Sequence, residues 1–146
     1  MSKKVLIISS SLRGGSNSEC LARECERGAK DAGHDVQFIS LKGKELKFCI
    51  GCLSCQETGK CVLKAAVYNA EVIVFATPIY YYEMCGQLKT LLDRMNPLFP
   101  SDYKFRDIYM IATAEEEDEP TTFDKAYNGL LGWVDCFEKA MLCGSV

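Results

Sequence analysis

Histidine is almost missing from this sequence: His34 is the only one among 146 residues. It sits beside Gly33 in a turn, where it reads as solvent-exposed, and no Ser–His–Asp set can be assembled around it. Long apolar runs are missing too. No stretch approaches the ~20 residues that span a bilayer, so no membrane partner is expected. A large excess of one charge is also lacking. The net charge is -3 and no face is obviously basic, which argues against nucleic acid as a partner. The start, Met1-Ser2-Lys3-Lys4, runs into only about seven apolar-rich residues and carries no cleavage-site pattern. It reads as a first strand rather than a signal peptide, and a cytoplasmic location is expected. Linkers, repeats and low-complexity stretches are absent, so residues 1–146 read as a single domain.

Cysteine, in contrast, is abundant. There are nine, an odd number, and four of them fall within Cys49–Cys61. In a reducing compartment such a cluster points to metal or redox chemistry more than to disulfides. Cys20, Cys25, Cys85, Cys136 and Cys143 lie on expected helices or strands and read as small buried hydrophobes.

Nearly half the residues are apolar, enough for a packed core. Val5-Leu6-Ile7-Ile8 is a short continuous apolar run, the pattern of a parallel strand buried on both faces. Ser16 and Glu19 have capping-box spacing at the start of a helix. Its apolar stripe is Leu21, Cys25, Ala29 and Ala32, and Gly33 is the expected stop. Val36–Leu41 reads as a second strand, and Val72–Ala76 as a third that ends at Thr77-Pro78. A second stripe, Met84, Leu88, Leu91, Leu92 and Met95, halts at Asn96-Pro97. Ile108–Ala112 is a fourth strand. Phe123, Tyr127, Leu130, Val134 and Phe137 form a third stripe, and Ala140–Val146 is a fifth strand. Strands alternating with helices predict an open, doubly wound parallel α/β sheet of five strands. Ligands of such sheets bind outside the carboxyl ends of the strands. The loops to inspect therefore follow strands one, three and four.

The first of these, Ser9 to Ser18, is rich in hydroxyls and glycine and leads into a helix N-terminus. Free N–H groups and the helix dipole make that an anion site. Ser11, Ser16, Asn17 and Ser18 can add donors and Arg13 can neutralise charge, while a plain polar capping loop is the alternative. Gly-Lys-Ser/Thr, a dinucleotide glycine triplet, a phosphatase cysteine and a receiver-type acidic pair are all missing here.

Three segments carry a resemblance to a known family. Ser10-Ser11-Leu12-Arg13-Gly14-Gly15-Ser16-Asn17-Ser18 resembles the phosphate loop of the NAD(P)H-dependent FMN reductases. Thr77-Pro78-Ile79-Tyr80-Tyr81-Tyr82, with Gly86-Gln87-Leu88-Lys89 and Leu92-Asp93-Arg94, resembles their flavin-ring loop and following helix. Cys49-Ile50-Gly51-Cys52 through Gly59-Lys60-Cys61 is similar to the branch that contains the iron–sulfur flavoproteins. The resemblance implies a flavodoxin-like fold with strand order 2-1-3-4-5. It implies an FMN-dependent oxidoreductase that passes electrons from NAD(P)H to a small acceptor such as a quinone, a flavin or a nitro or azo compound. It also implies a homo-oligomer, dimer or tetramer, and admits a ferredoxin-like electron partner. A non-enzymatic electron carrier and a cysteine-based redox sensor are the competing readings.

On this resemblance, FMN phosphate is expected at Ser11, Arg13, Ser16, Asn17 and Ser18. Ring contacts are expected from Pro78, Ile79, Tyr80 and Tyr81, and from Thr113 and Ala114 after the fourth strand. No side chain is needed as an acid or base, so no catalytic residue is assigned. The run Glu115–Glu119 reads first as solvated surface charge. If it faces the cofactor, it repels the extra phosphate of NADPH and favours NADH or a protein donor. Cys49, Cys52, Cys55 and Cys61 follow C-x2-C-x2-C-x5-C, a compact spacing like that of ferredoxin motifs. A [4Fe–4S] cluster, free or reversibly oxidised thiols, and zinc remain open for them.

The chain departs from the family in two places. Only Lys64–Asn69 separates the cysteine loop from the third strand, so the crossover is shortened, and no final helix follows the fifth strand. One sheet face is expected to be thinly covered, either because a partner subunit buries it or because the chain is incomplete.

Overall fold

The computed structural model describes residues 1–59, 64–115 and 120–146. In chain order the elements are β1 (Lys4–Ser9), α1 (Asn17–Asp31), β2 (Asp35–Ser40), α2 (Ser54–Thr58), α3 (Lys64–Asn69) and β3 (Val72–Tyr80). They continue with β4 (Glu83–Met84), α4 (Gly86–Asp93), a 3-10 turn (Asn96–Leu98), β5 (Asp107–Thr113), α5 (Pro120–Val134) and β6 (Met141–Ser145). The sheet order is β2-β1-β3-β5-β6 with every neighbour parallel. This is the flavodoxin-like order 2-1-3-4-5 with one strand added.

The added strand is β4, which the patterning did not reveal. It folds back antiparallel on the end of β3, with Ile79 opposite Met84 and Tyr80 opposite Glu83. β3 therefore does not stop at Thr77-Pro78. Pro78 pairs with Thr113, the last residue of β5, so its missing N–H falls on the final rung of that ladder.

Alternate residues of the strands feed two cores, as a pleated strand requires. Leu6, Ile8, Ile73, Phe75, Ile108 and Met110 face α4 and α5, where they pack with Leu88, Leu91, Leu130 and Val134. Val5, Ile7, Val72, Val74, Ala76 and Ile111 face α1, where Ala22 meets them. The second core is much the smaller. Beside it runs an apolar groove of about 680 Å³, with Leu21, Cys25, Ala29, Val72, Val74, Tyr109 and Ile111 among its walls.

That groove corrects the stripe read for α1. Ser18 and Ala22 are the buried residues of this helix, whereas Leu21 and Ala32 are exposed and Cys25 and Ala29 half-buried. The helix seats its small residues on the sheet and leaves the larger ones at the groove. Its end follows expectation: Gly33 has φ +83°, and the amides of Gly33 and His34 donate to the carbonyls of Lys30 and Ala29. His34 is half-buried rather than exposed, and its Nδ1 accepts the Lys3 N–H at 3.3 Å. Met84 lies on β4 instead of the α4 stripe, and Met95 and Phe137 lie beyond their helices, yet all three are buried. Cys85 is buried and Cys25 half-buried, but Cys20 and Cys143 are exposed on the wet faces of their elements and Cys136 is exposed in the turn after α5.

Candidate functional site

The site begins where β1 ends. Ser10 continues the line of the strand: its N–H and its hydroxyl both donate to Ala76 O of β3 at 2.9 Å. Ser11 Oγ then accepts the Arg13 N–H at 3.3 Å and folds the chain toward α1. Gly15 takes φ +66°, a conformation that a side chain would resist. Ser16 caps the helix: its Oγ accepts the Glu19 N–H at 3.2 Å, and the Glu19 carboxylate accepts the Gly15 N–H at 3.2 Å. Ser16 and Ser18 share a hydroxyl contact at 3.3 Å, and both are buried. The first intrahelical bond runs from Cys20 N–H to Ser16 O, so the amides of Asn17 and Ser18 precede the ladder and point outward.

The second wall comes from β3. Thr77 Oγ1 donates to Pro78 O at 2.9 Å and accepts the Cys85 N–H at 3.2 Å. The Cys85 thiol, buried at the start of α4, reaches Ser10 Oγ at 3.1 Å. These bonds tie the end of β1, the end of β3 and the start of α4 into one piece. Beyond them Tyr81 and Tyr82 turn the chain with φ +51° and +67°. Lys125 of α5 stands over the Tyr82 ring, with its Nζ 4.7 Å from the ring centre.

Between the walls lies a cavity of about 400 Å³. Ser11, Arg13, Ser16, Asn17 and Ser18 line it from the first loop, Pro78, Ile79 and Tyr80 from the second, and Thr113, Ala114 and Glu115 from the third. Every residue expected to touch FMN is thus in one place except Tyr81. That tyrosine is 98% exposed at the tip of the β3–β4 turn and lies outside the cavity walls, because the unexpected hairpin turns it away.

The electrostatics favour an anion at the loop end. Among the described residues Arg13 makes no ion pair, so its charge is available. Ser9 Oγ, at the end of β1 and outside the cavity walls, is fully buried with no hydrogen-bond partner. At the opposite rim Glu115 brings a carboxylate. The four residues after it, 116–119, lie outside the described residues, so the expected acidic run is placed only at its first member.

The cysteine segment leaves the sheet after β2. Cys49 and Cys52 are exposed, and Cys55 is half-buried with Asn96 Nδ2 3.8 Å from its sulfur. Bonds from Ser54 hold the Cys52 thiol below its ordinary range, and the Arg94 charge adds to this. Among the described residues no three Cys, His, Asp or Glu side chains are gathered in a way that could hold a metal ion. The fourth expected ligand, Cys61, lies outside the described residues.

Residues 3–120 match the family model described as NADPH-dependent FMN reductase. The chain belongs to that family. Membership makes it an FMN-dependent oxidoreductase and agrees with the sheet order. An iron-sulfur flavoprotein of Methanocaldococcus jannaschii is 34% identical over 139 residues, which cover 88% of this chain and 72% of that protein. An iron-sulfur flavoprotein of Archaeoglobus fulgidus is 30% identical over 102 residues, 65% of this chain and 46% of that protein. This chain therefore spans about half the length of the second relative. Among solved structures, the NAD(P)H:quinone oxidoreductase from Methanothermobacter marburgensis superposes with a TM-score of 0.75 at 14% identity, covering 100% of this chain and 82% of that one. That likeness concerns the fold. None of the described helices is long and apolar enough to cross a membrane.

Two features of this site escaped the sequence reading. Thr77 and Cys85 act as ties between loops, which no spacing announces. Lys42 places its amine over the first loop, where a Cβ on Gly14 would meet Lys42 Nζ at 2.6 Å. The available signal was its position just past the carboxyl end of β2, the edge on which such sheets build their sites.

Proposed function

We propose that this reductase holds FMN across the loops after β1, β3 and β5 and passes electrons from a reduced nicotinamide to a small acceptor. The observation that carries this is the single cavity joining a helix N-terminus to Pro78–Tyr80 and to Thr113–Ala114. The residues fit the group. Arg13, the hydroxyls of Ser11, Ser16 and Ser18, and the amides at the start of α1 suit a phosphate. Pro78, Ile79 and Tyr80 offer a flat apolar wall with backbone groups at its edge, as a tricyclic ring needs. When bound, FMN supplies the hydride and single-electron chemistry. The protein's part is to fix the phosphate, orient the ring and shield one side of it from water. Glu115 at the rim disfavours the extra phosphate of NADPH, so NADH or a protein donor is the proposed reductant. The acceptor belongs to the quinone, flavin, nitro or azo class.

Titration of the purified protein with FMN tests the reading directly. Saturable binding, together with flavin-dependent NADH oxidation, is expected. No binding at micromolar FMN overturns it, and steady-state rates clearly favouring NADPH overturn the donor assignment.

The thiols of Cys49, Cys52, Cys55 and Cys61 have the donor chemistry of a [4Fe–4S] centre, and both relatives named above are iron-sulfur flavoproteins. We propose that role for them, with the cluster itself drawing together thiols that are not gathered among the described residues. Fewer than two irons per chain in anaerobically prepared protein excludes it. The segment also exposes Phe48 and Ile50 at 81% and 85%, and we propose that these apolar side chains take part in self-association. Sedimentation that shows only monomer overturns that assignment.

A further inference from the structure

We infer that Lys42 supplies the second positive charge of the phosphate loop and makes the site select a phosphorylated flavin over an unphosphorylated one. The inference rests on the FMN reading and deepens it.

A phosphate monoester carries about 1.5 to 2 negative charges at neutral pH. Arg13 offsets one of them. The other charged groups placed at the loop and cavity are the carboxylates of Glu19, bonded to the Gly15 amide, and of Glu115, and both work against an anion. The balance calls for another cation, and Lys42 is the group in position. It follows Leu41, whose N–H donates to Ser9 O at 2.8 Å, so the chain after β2 runs alongside the end of β1. From there the exposed lysine reaches across to Gly14, between Arg13 and Gly15. Among the described residues its ammonium makes no ion pair. Lys42 is not itself a wall of the cavity. Its ammonium nevertheless rests against the neighbour of Arg13, well inside the ~8–10 Å over which salt leaves a charge effective.

Gly14 supports the same assignment. Its φ is not positive, so backbone strain does not demand glycine there. A Cβ there would sit 2.6 Å from Lys42 Nζ, the free end of a flexible side chain, so the ammonium would shift to make room. The bare glycine lets the lysine approach the loop closely.

The test measures dissociation constants for FMN and for riboflavin at low and moderate salt. It compares wild type, Lys42→Met, Lys42→Arg, Gly14→Ala and the double variant Gly14→Ala/Lys42→Met. Lys42→Met is expected to weaken FMN about fivefold to twentyfold, leave riboflavin unchanged and flatten the salt dependence of FMN binding. Lys42→Arg should restore most of the affinity. Gly14→Ala, which displaces the ammonium without removing it, should weaken FMN less than Lys42→Met, and the double variant should be no worse than Lys42→Met alone, since both act through one ammonium. Equal losses for FMN and riboflavin would mean a role in loop structure only and would overturn the inference. So would a Lys42→Met protein that binds FMN as tightly as wild type. Wild type that binds neither flavin overturns the FMN reading itself, and this inference with it.

Discussion

Ser16 serves two ends with one oxygen. It caps α1 by accepting the Glu19 N–H at 3.2 Å, and it lines the cavity proposed for the phosphate. Two substitutions separate these roles. Ser16→Ala removes the cap and should cost about 1 kcal/mol of stability, with weaker FMN binding. Ser16→Asp keeps a capping acceptor but sets a negative charge against the phosphate. Its urea midpoint should stay near wild type while its FMN affinity falls further than that of Ser16→Ala. Tyr81 makes a different point at the same scale. It holds φ +51° while 98% exposed, so the backbone is strained and the ring gains no packing in return. Tyr81→Asn should raise stability by roughly 0.5–1 kcal/mol, read by chemical denaturation. An unchanged midpoint would show that the turn carries no such strain.

Helix α1 holds the phosphate loop, so the charges along it bear on the site. Lys30, then Arg23, hold the Glu26 carboxyl below the usual carboxylate range, with contacts of 2.7 and 2.8 Å. A carboxylate lowered on folding stabilises above its unfolded value of about 4.3, and that contribution disappears as pH falls through the folded value. Both cations are about half exposed, so solvent screens the pairs. Glu26→Gln should therefore cost only roughly 0.5–1 kcal/mol at pH 7, and its difference from wild type should close as pH falls through the lowered value of the folded carboxyl. Unfolding midpoints across that range check this. The elements themselves were legible where a local signal exists. The capping box at Ser16 and Glu19 and the stop at Gly33 placed α1 closely. The β4 strand was not legible, because two residues show no period, and Met84 happened to fall in phase with the helical stripe that follows. The buried face of α1 was misread for a related reason. Hydrophobicity pointed to Leu21, but close approach to the sheet selects the small Ser18 and Ala22.

At the scale of the whole molecule, the site is a junction of three loops that belong to separate βα units. FMN that bridges them binds only the folded chain, so it should stabilise that chain by mass action. At a hundredfold excess over its dissociation constant the gain is about 2.7 kcal/mol, visible as a rise in melting temperature with FMN. Riboflavin at the same concentration should give a smaller shift, because it leaves the α1 end of the cavity unfilled. Equal shifts would place the binding energy in the ring alone.

The strand order 2-1-3-4-5 came from the family resemblance; the sequence's own patterns determined the alternation of parallel strands with helices, the loop that meets α1, and the residue types offered to an anion and a ring. Those properties follow from local period, caps and the handedness of crossovers, which act over a few residues or one unit at a time. Tertiary structure decided which of these residues converge. It brought Ser11, Arg13 and Ser16–Ser18, Pro78–Tyr80 and Thr113–Glu115 onto one cavity, sent Tyr81 out to solvent and laid Lys42 over Gly14. Such contacts join positions far apart in the chain. They depend on strand register and side-chain direction, which no local pattern encodes.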